Sequence, residues 1–146
     1  MNKSFGNFVN IKRMDCLFCS IIDNQTEAFK IWEDRNFVLL LDIRPINRGH
    51  VLLVTKKHVS YVFSLPKPLY TQLFINANRI AQLLRGITKA RRIGLAIEGF
   101  GVPHSHVHLV PVNSGNELNP LRAKKVPKEK LRRLQSKFAV YFKKLK

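Results

Sequence analysis

The chain alternates short apolar runs with polar breaks, a pattern typical of β-strands joined by turns. Four polar residues at 33–36 separate the first two runs and favour a hairpin between them. Further along, Ile93, Leu95 and Ile97 recur with the two-residue period of a strand. We therefore predict five strands, at residues 29–32, 37–42, 50–55, 93–97 and 104–110.

A three- and four-residue period follows Pro68 and predicts a long amphipathic helix, which Gly86 is expected to end. A second, basic helix is predicted to start at Pro127, with an apolar face that would dock on the body of the protein or on a partner subunit. The order of strands, helix, strands and helix favours an α+β fold with an antiparallel sheet. The apolar positions of the two helices are Leu69, Leu73, Ala77, Ile80, Leu84 and Ile87, and then Leu131, Leu134, Phe138 and Phe142.

Length and composition indicate one globular domain, since the chain has 146 residues, of which 45% are apolar. The longest apolar runs have five residues, whereas a membrane-spanning helix needs about 20. No secretory signal is expected and two cysteines cannot form a disulfide framework, so we expect a cytoplasmic protein. We divide the chain into a loosely ordered segment at 1–14, a folded domain at 15–120 and a basic tail at 121–146.

The charge is strongly positive, because 26 lysines and arginines stand against 9 aspartates and glutamates, a balance of +17. Residues 121–146 contain eleven of the basic residues and a single acid, Glu129, and so carry +10 of this charge. Such a field attracts anions, which could be nucleic acid, acidic lipid or a phosphorylated small molecule. A solvated helix face is the simpler interpretation of the tail. Since no aromatic stacking platform is evident, we expect at most non-specific nucleic-acid contact there.

Three histidines at two-residue spacing, His104, His106 and His108, are the most informative feature of the sequence. In a strand they would lie on one face, about 6.5–7 Å apart, with Val107 and Leu109 turned into the core. The row could be a solvated strand face, a metal site or a centre of nucleophilic catalysis. A neutral imidazole suits catalysis, because its ordinary pKa is about 6.5 and a neighbour can fix its tautomer.

Residues 104–110, His-Ser-His-Val-His-Leu-Val, resemble the motif of the histidine triad (HIT) family, which is His-φ-His-φ-His-φ-φ with φ apolar. Ser105 departs from this pattern. The resemblance covers about residues 15–111, through Asp-Cys-Leu-Phe-Cys at 15–19, Leu-Asp-Ile-Arg-Pro at 41–45 and Lys-Lys-His at 56–58. It implies a five-stranded antiparallel α+β fold, usually paired as a homodimer.

The resemblance also implies hydrolysis or transfer at the α-phosphate of a nucleoside phosphoramidate or a dinucleoside polyphosphate. His106 then stands at the position of the nucleophile that carries the nucleotidyl group, flanked by His104 and His108 and supported by His50. The substrate would contribute a purine nucleotide, an AMP or GMP moiety. The alternative is a basic nucleotide- or RNA-binding protein that keeps the fold but has little turnover.

The same resemblance gives Asp42 the role of accepting hydrogen bonds from the ribose, although a strand-end carboxylate is the competing interpretation. Four apolar residues would form the base pocket, with plain core packing as the alternative: Phe18, Ile21, Leu41 and Ile43.

One departure from the family lies just before the triad. Many members have a polar Gln-Ser pair there, whereas this chain reads Glu-Gly-Phe-Gly-Val-Pro at 98–103. The backbone amides of Gly99 or Gly101 would then have to contact the phosphate, since glycine permits a close backbone approach.

The pair Cys16 and Cys19 could be half of a zinc site, a redox pair or two quiet thiols. Family members with this pair resemble one another in completing a zinc site with the histidine after Lys-Lys and the first triad histidine. Those residues are His58 and His104 here, and they would close a Cys2His2 site of the structural kind.

Overall fold

The computed structural model describes residues 13–145 as one five-stranded sheet with three α-helices, which confirms the predicted α+β class. All neighbouring strands are antiparallel, in the order β1-β2-β3-β5-β4. The predicted loose segment at 1–14 lies almost wholly outside the described residues. Within 13–145, no helix has the length and apolarity needed to cross a bilayer. The strands are β1 (Lys30–Glu33), β2 (Phe37–Leu41), β3 (Val51–Thr55), β4 (Arg92–Ala96) and β5 (His106–Val112), and the helices are α1 (Leu17–Ile22), α2 (Lys67–Thr88) and α3 (Lys128–Phe142).

The sheet separates two apolar clusters, because successive side chains of a strand point to opposite faces. The face that carries α2 and α3, here called the helix face, buries residues such as Leu39, Leu53 and Leu109 against both helices. The opposite face, here called the α1 face, buries Leu40 and Leu52 against α1. Polar side chains of β5 that alternate with core residues therefore emerge on the α1 face.

Helix α2 continues through Gly86, so the expectation that this glycine ends the helix is wrong. The helix ends at Thr88, and Lys89 follows with a left-handed φ of 58° and donates its backbone N–H to the carbonyl of Arg85. A Cβ atom on Gly86 would lie 2.8 Å from the hydroxyl of Tyr141. Gly86 therefore makes room for α3 to pack on α2.

Helix α3 begins directly after Pro127, as predicted, and docks on the body of the same chain. Leu131, Phe138 and Phe142 are buried in the helix-face cluster. The indole N–H of Trp32 in β1 donates to the backbone carbonyl of Leu145 just beyond the helix, at 2.9 Å. The basic tail thus contributes its apolar side to the core and presents its cations to solvent.

Strand β5 begins at His106 and not at the predicted His104. The alternation of the predicted row is kept from His106 onward, with Val107 and Leu109 buried on the helix face. His104 lies in the turn before the strand, where its side chain is free to take a different direction from those of His106 and His108.

Candidate active site and metal centre

The sheet brings three of the predicted histidines together on the α1 face. His106 and His108 stand opposite Val54 and Leu52 of β3, and their ring centroids are 5.0 Å apart. His50 directly precedes β3, and its Nε2 lies 3.0 Å from Nδ1 of His108. His50 and His106 are buried, and His108 is half-buried.

A backbone carbonyl sets the tautomer of His106. The Nδ1 atom lies 2.5 Å from the carbonyl oxygen of His104, and only a protonated nitrogen can donate to that oxygen. Nε2 therefore keeps its lone pair. Burial lowers the pKa of His106 below its ordinary value, so the ring is neutral near pH 7. The Phe18 ring packs edge-on at 4.9 Å between centroids and fixes the orientation of a side chain equipped to act as a nucleophile.

A second chain of hydrogen bonds runs through His50. The backbone N–H of Ile46 donates to its Nδ1 at 3.1 Å, so the ring proton lies on Nε2 and can be donated to Nδ1 of His108. His108 then carries its own proton on Nε2, as a hydrogen-bond donor beside His106. Burial lowers the pKa of His50, and burial with neighbouring imidazoles lowers the pKa of His108 to about 4.

Asp42 lies at the end of β2 with its two carboxylate oxygens in different surroundings. Oδ1 accepts the backbone N–H of Arg44 at 2.8 Å, which is the bond of a structural strand-end carboxylate. Oδ2 lies 3.5 Å from Nε2 of His50. Asp42, His50 and His108 offer three possible ligand atoms within 4.8 Å of one another, and the His50–His108 hydrogen bond with the 3.5 Å approach of Asp42 to His50 accounts for this closeness.

The structure brings only part of the predicted base pocket to this site. Phe18 and Ile21 of α1 are buried on the α1 face, and Ile43 is 55% exposed just beyond the end of β2. Leu41 points to the helix face and packs in the main core, so it is not brought to the pocket residues of α1. Leu40 takes its place on the α1 face. The alternation of side chains along a strand could have predicted this, because Leu40 and Asp42 are two residues apart and share a face, whereas Leu41 between them faces the other way.

The glycines before the triad lie in an irregular segment. Gly99 has a left-handed φ of 87°, and a Cβ atom there would lie 3.5 Å from the carbonyl oxygen of Ser60. A Cβ atom on Gly101 would meet no atom within 4 Å among the described residues. The backbone of Gly101 is therefore open to a ligand, and its contact with a phosphate stays a prediction.

The predicted cysteines and histidines converge in a second cluster beside the first. Cys16 Sγ lies 3.3 Å from His104 Nδ1, Cys19 Sγ lies 3.3 Å from His58 Nδ1, and the two Nδ1 atoms are 3.1 Å apart. All four ligand atoms lie within 4.8 Å of one another. A tetrahedral zinc ion with ordinary bond lengths sets its ligand atoms about 3.3–3.8 Å apart. The four side chains fit that geometry.

The surroundings of the cluster also suit a metal. His104 Nε2 lies 2.6 Å from the carbonyl oxygen of Thr55 and donates its proton to it in a hydrogen bond, which leaves the Nδ1 lone pair pointing at the thiols. Burial and the neighbouring Cys16 raise the pKa of the Cys19 thiol to about 11. Binding a cation would thus have to displace thiol protons, as zinc does in cysteine sites.

Comparisons with known proteins agree on one family. The family model described as the HIT domain matches residues 23–115. An uncharacterized HIT-like protein of Mycobacterium tuberculosis is 33% identical over a 111-residue alignment that covers 73% of this chain and 77% of that protein. Adenosine 5'-monophosphoramidase HNT1 of Saccharomyces cerevisiae is 31% identical over 97 residues, covering 66% of this chain and 61% of the yeast protein.

Solved structures show the same architecture. The crystal structure of a zinc-bound histidine triad family protein from Mycobacterium smegmatis superposes with a TM-score of 0.74 and 29% sequence identity. The match covers 92% of this chain and all of that chain. The resemblance therefore includes nearly the whole fold described above.

Proposed function

The chain belongs to the histidine triad family, and on that premise we propose that it hydrolyses or transfers nucleotidyl groups at an α-phosphate through a covalent bond to His106. One observation carries the proposal: His106 Nδ1 donates to the His104 carbonyl, which leaves Nε2 as a free, neutral nucleophile next to His108. A relative named as an adenosine monophosphoramidase supports a nucleoside phosphoramidate as the substrate class, and a dinucleoside polyphosphate is the alternative.

The reaction follows from the atoms of the site. The Nε2 lone pair of His106 attacks phosphorus in line, and the bond from phosphorus to the leaving group breaks with its electron pair passing to the leaving group, which takes up a proton from solvent. The Nε2–H of His108 can donate to a phosphate oxygen, which stabilises the charge that develops there. Water then attacks the phosphorus of the nucleotidyl-histidine and loses a proton to solvent, and the bond from phosphorus to Nε2 breaks, which releases the nucleoside monophosphate with His106 restored.

The test is a rapid acid quench with a labelled adenosine phosphoramidate. We expect labelled AMP to be attached to the protein through an acid-labile phosphorus–nitrogen bond, and to be released as free AMP. The variant His106→Ala should neither accumulate label nor release AMP at more than about one-thousandth of the normal rate. Label trapped on another residue, or near-normal turnover of the variant, would overturn the assignment.

A nucleotide- or RNA-binding protein with little turnover is the second candidate. The open backbone of Gly101, where many family members have a polar pair, favours it because a donor to the leaving group is missing. The same assay separates the two, since this candidate binds the nucleotide tightly and releases no AMP.

We also propose that Cys16, Cys19, His58 and His104 hold a structural zinc ion. Their mutual distances and the tautomer of His104 support this, as does the zinc-bound relative of similar fold. With four protein ligands the site is closed, so zinc would supply stability by joining α1 to the start of β5 and would not enter the reaction.

We further propose that the chain associates as a homodimer. β4 is an outer strand of the sheet, and an unpaired strand edge is usually covered in native proteins. Leu95 in β4 and the nearby Phe100 are exposed apolar residues that a second copy could bury. Light scattering at several protein concentrations tests the dimer.

We also propose a cytoplasmic location, which suits two buried, unbridged thiols.

A further inference from the structure

A pocket of about 640 Å³ lies between the loop at 42–50 and the C-terminal part of the chain. Its volume is typical of sites for small molecules. Apolar residues line part of it, among them Leu41, Ile46, Val126, Leu131 and Leu134. The other lining residues are mostly cations: Arg48, Arg122, Lys124, Lys130, Arg133 and Lys137.

Two rows of these cations converge on the pocket because of their secondary structure. Arg122 ends a short 3-10 helix at Pro120–Arg122. In the extended segment that follows it, Lys124 and Val126 line the pocket with Arg122, whereas Lys125 between them does not. In α3, Lys130, Arg133 and Lys137 follow the spacing of one helix face.

Hydrogen bonds hold the segment of 122–126 against the loop. The backbone N–H of Lys124 donates to the carbonyl of Pro45 at 3.3 Å, and that of Val126 donates to Ile43 at 3.4 Å. Arg122 Nη2 donates to the side-chain oxygen of Asn47 at 3.2 Å, and Asn47 Nδ2 donates to the carbonyl of Pro111. The two walls of the pocket are therefore tied together independently of any ligand.

Most of the pocket's positive charge has no carboxylate partner in the described part of the chain. Lys128 and Arg132, on another side of α3, pair with Glu27, and Arg133 pairs with Glu129. Over residues 13–145, no salt bridge within 4.0 Å involves Arg48, Lys124, Lys130 or Lys137. Asp42 is the one acidic residue among those that line the pocket. The residues that line the pocket therefore carry six positive charges against one negative charge.

We propose that this pocket binds the phosphate chain of a small polyphosphorylated molecule, with the cations on the phosphates and the apolar wall against any organic part. A concave pocket with an apolar wall suits a small molecule better than an extended nucleic-acid backbone, which needs an open stripe of charge. The phosphate chain has two possible sources, which are the distal phosphates of the proposed substrate and a separate ligand.

The pocket shares Asp42 and His50 with the histidine site, so an occupant contacts the loop that orients His108. Binding itself needs no turnover at His106. The two proposals can therefore fail separately.

The test is isothermal calorimetry of the full chain with inorganic tripolyphosphate at about 0.15 M salt, where long-range attraction is screened beyond about 8 Å. The pocket variant Lys124→Gln/Lys137→Gln is compared with the control Lys125→Gln/Lys143→Gln. Each loses two charges, one from the extended segment and one from or next to α3, but the control residues do not line the pocket. We expect the control to bind like the unmodified protein and the pocket variant to bind about tenfold more weakly or worse.

Equal weakening of both variants would overturn the proposal, because binding would then depend on the total charge alone. The absence of saturable binding to the unmodified protein would overturn it as well. Tighter binding of an unrelated single-stranded RNA than of tripolyphosphate, with the same loss in the pocket variant, would overturn it in favour of a nucleic-acid groove.

A second arm identifies the source of the phosphates. If tripolyphosphate competes with a dinucleoside tetraphosphate for the unmodified protein but leaves AMP binding unchanged, the pocket holds the distal phosphates of a substrate. If tripolyphosphate binds together with the dinucleotide, the pocket holds a separate ligand. A purely inactive protein would still give these binding results, so they do not depend on the outcome of the acid-quench assay.

Discussion

Four buried or half-buried histidines, three on the α1 face and His104 just before β5, differ in chemistry because each has a different hydrogen-bond partner. The carbonyls of His104 and Thr55 fix the protons of His106 and His104, and the N–H of Ile46 fixes that of His50. The results are a free Nε2 on His106, a free Nδ1 on His104 and a relayed donor on His108. His106 is thus a candidate nucleophile, His104 a candidate metal ligand, and His108 a candidate hydrogen-bond donor to a phosphate oxygen.

This division predicts graded effects of substitution. His106→Ala should abolish turnover, whereas His108→Ala and His50→Ala should lower kcat by about 10²-fold, because each removes only a supporting hydrogen bond or its orientation. Steady-state kinetics with an adenosine phosphoramidate measures the effects. AMP affinity is the control and should change little in all three, and equal losses of kcat at all three positions would contradict the division.

Leu40 and Leu41 should differ although they are neighbours. Leu40→Ala should weaken nucleotide binding, since Leu40 lies on the α1 face with Phe18 and Ile21. Leu41→Ala should leave affinity nearly unchanged and lower the free energy of unfolding by about 2–5 kcal/mol, since it leaves a cavity in the main core. Titration with AMP and urea unfolding of both variants test this, and the reverse pattern of affinities would refute the placement.

At the scale of elements, the contact between α2 and α3 explains features that no single helix does. Gly86 lies inside α2 because Tyr141 of α3 occupies the space where a side chain would be. The apolar face of α3 is equally committed, since Phe138 and Phe142 are buried in the main core. The basic tail therefore cannot be deleted without loss of core, and its charges are best tested by single substitutions.

The variant Gly86→Ala should not stabilise the protein, although alanine in a helix interior usually gains about 1 kcal/mol over glycine. The added Cβ would lie 2.8 Å from the Tyr141 hydroxyl, which must move. In the Tyr141→Phe background that atom is absent and the next contact is 3.8 Å, so the same substitution should recover the stabilisation. Thermal unfolding of the four proteins gives the coupling, and an additive result would show that the contact is not responsible.

At the scale of the whole molecule, the Cys-His cluster joins parts of the chain that are far apart in sequence. Cys16 and Cys19 flank the start of α1 or lie within it, His58 follows β3, and His104 precedes β5. A metal ion there would fix α1, and with it Phe18, against the histidine site.

If zinc occupies this cluster, a strong chelator should lower the unfolding temperature and Cys16→Ser should do the same without further effect of chelator. Metal analysis of the purified protein should give about one zinc per chain, and the kcat per folded molecule should be nearly unchanged in the variant. A zinc content below half an equivalent, with both thiols shown to be reduced, would argue against the site.

The sequence alone determined the class of fold and singled out the candidate residues for chemistry. Short apolar runs and one two-residue alternation predicted the five strands, and the three- and four-residue period predicted the two long helices, because buried strands are apolar throughout whereas a helix buries one face. Three histidines among core residues and the paired cysteines identified the reactive groups, since packing alone does not call for them. Helix α1 was not predicted, because its six residues are too few to show a period.

Only the tertiary structure decided how those groups are oriented and where their protons lie. The two-residue spacing by itself treats the three triad histidines alike, whereas the start of β5 at His106 turns His104 toward the cysteines, where the family resemblance had placed it. Likewise, the packing of Leu41 in the main core and the passage of α2 through Gly86 differ from expectation, because the face of a strand end and the space beside a helix depend on elements distant in sequence. The basic pocket arises in the same way, from cations of 122–137 that meet the loop at 42–50 only when α3 packs on the body. Local periodicity depends on neighbouring residues, whereas proton positions, side-chain directions and cavities depend on contacts between residues that are distant in sequence.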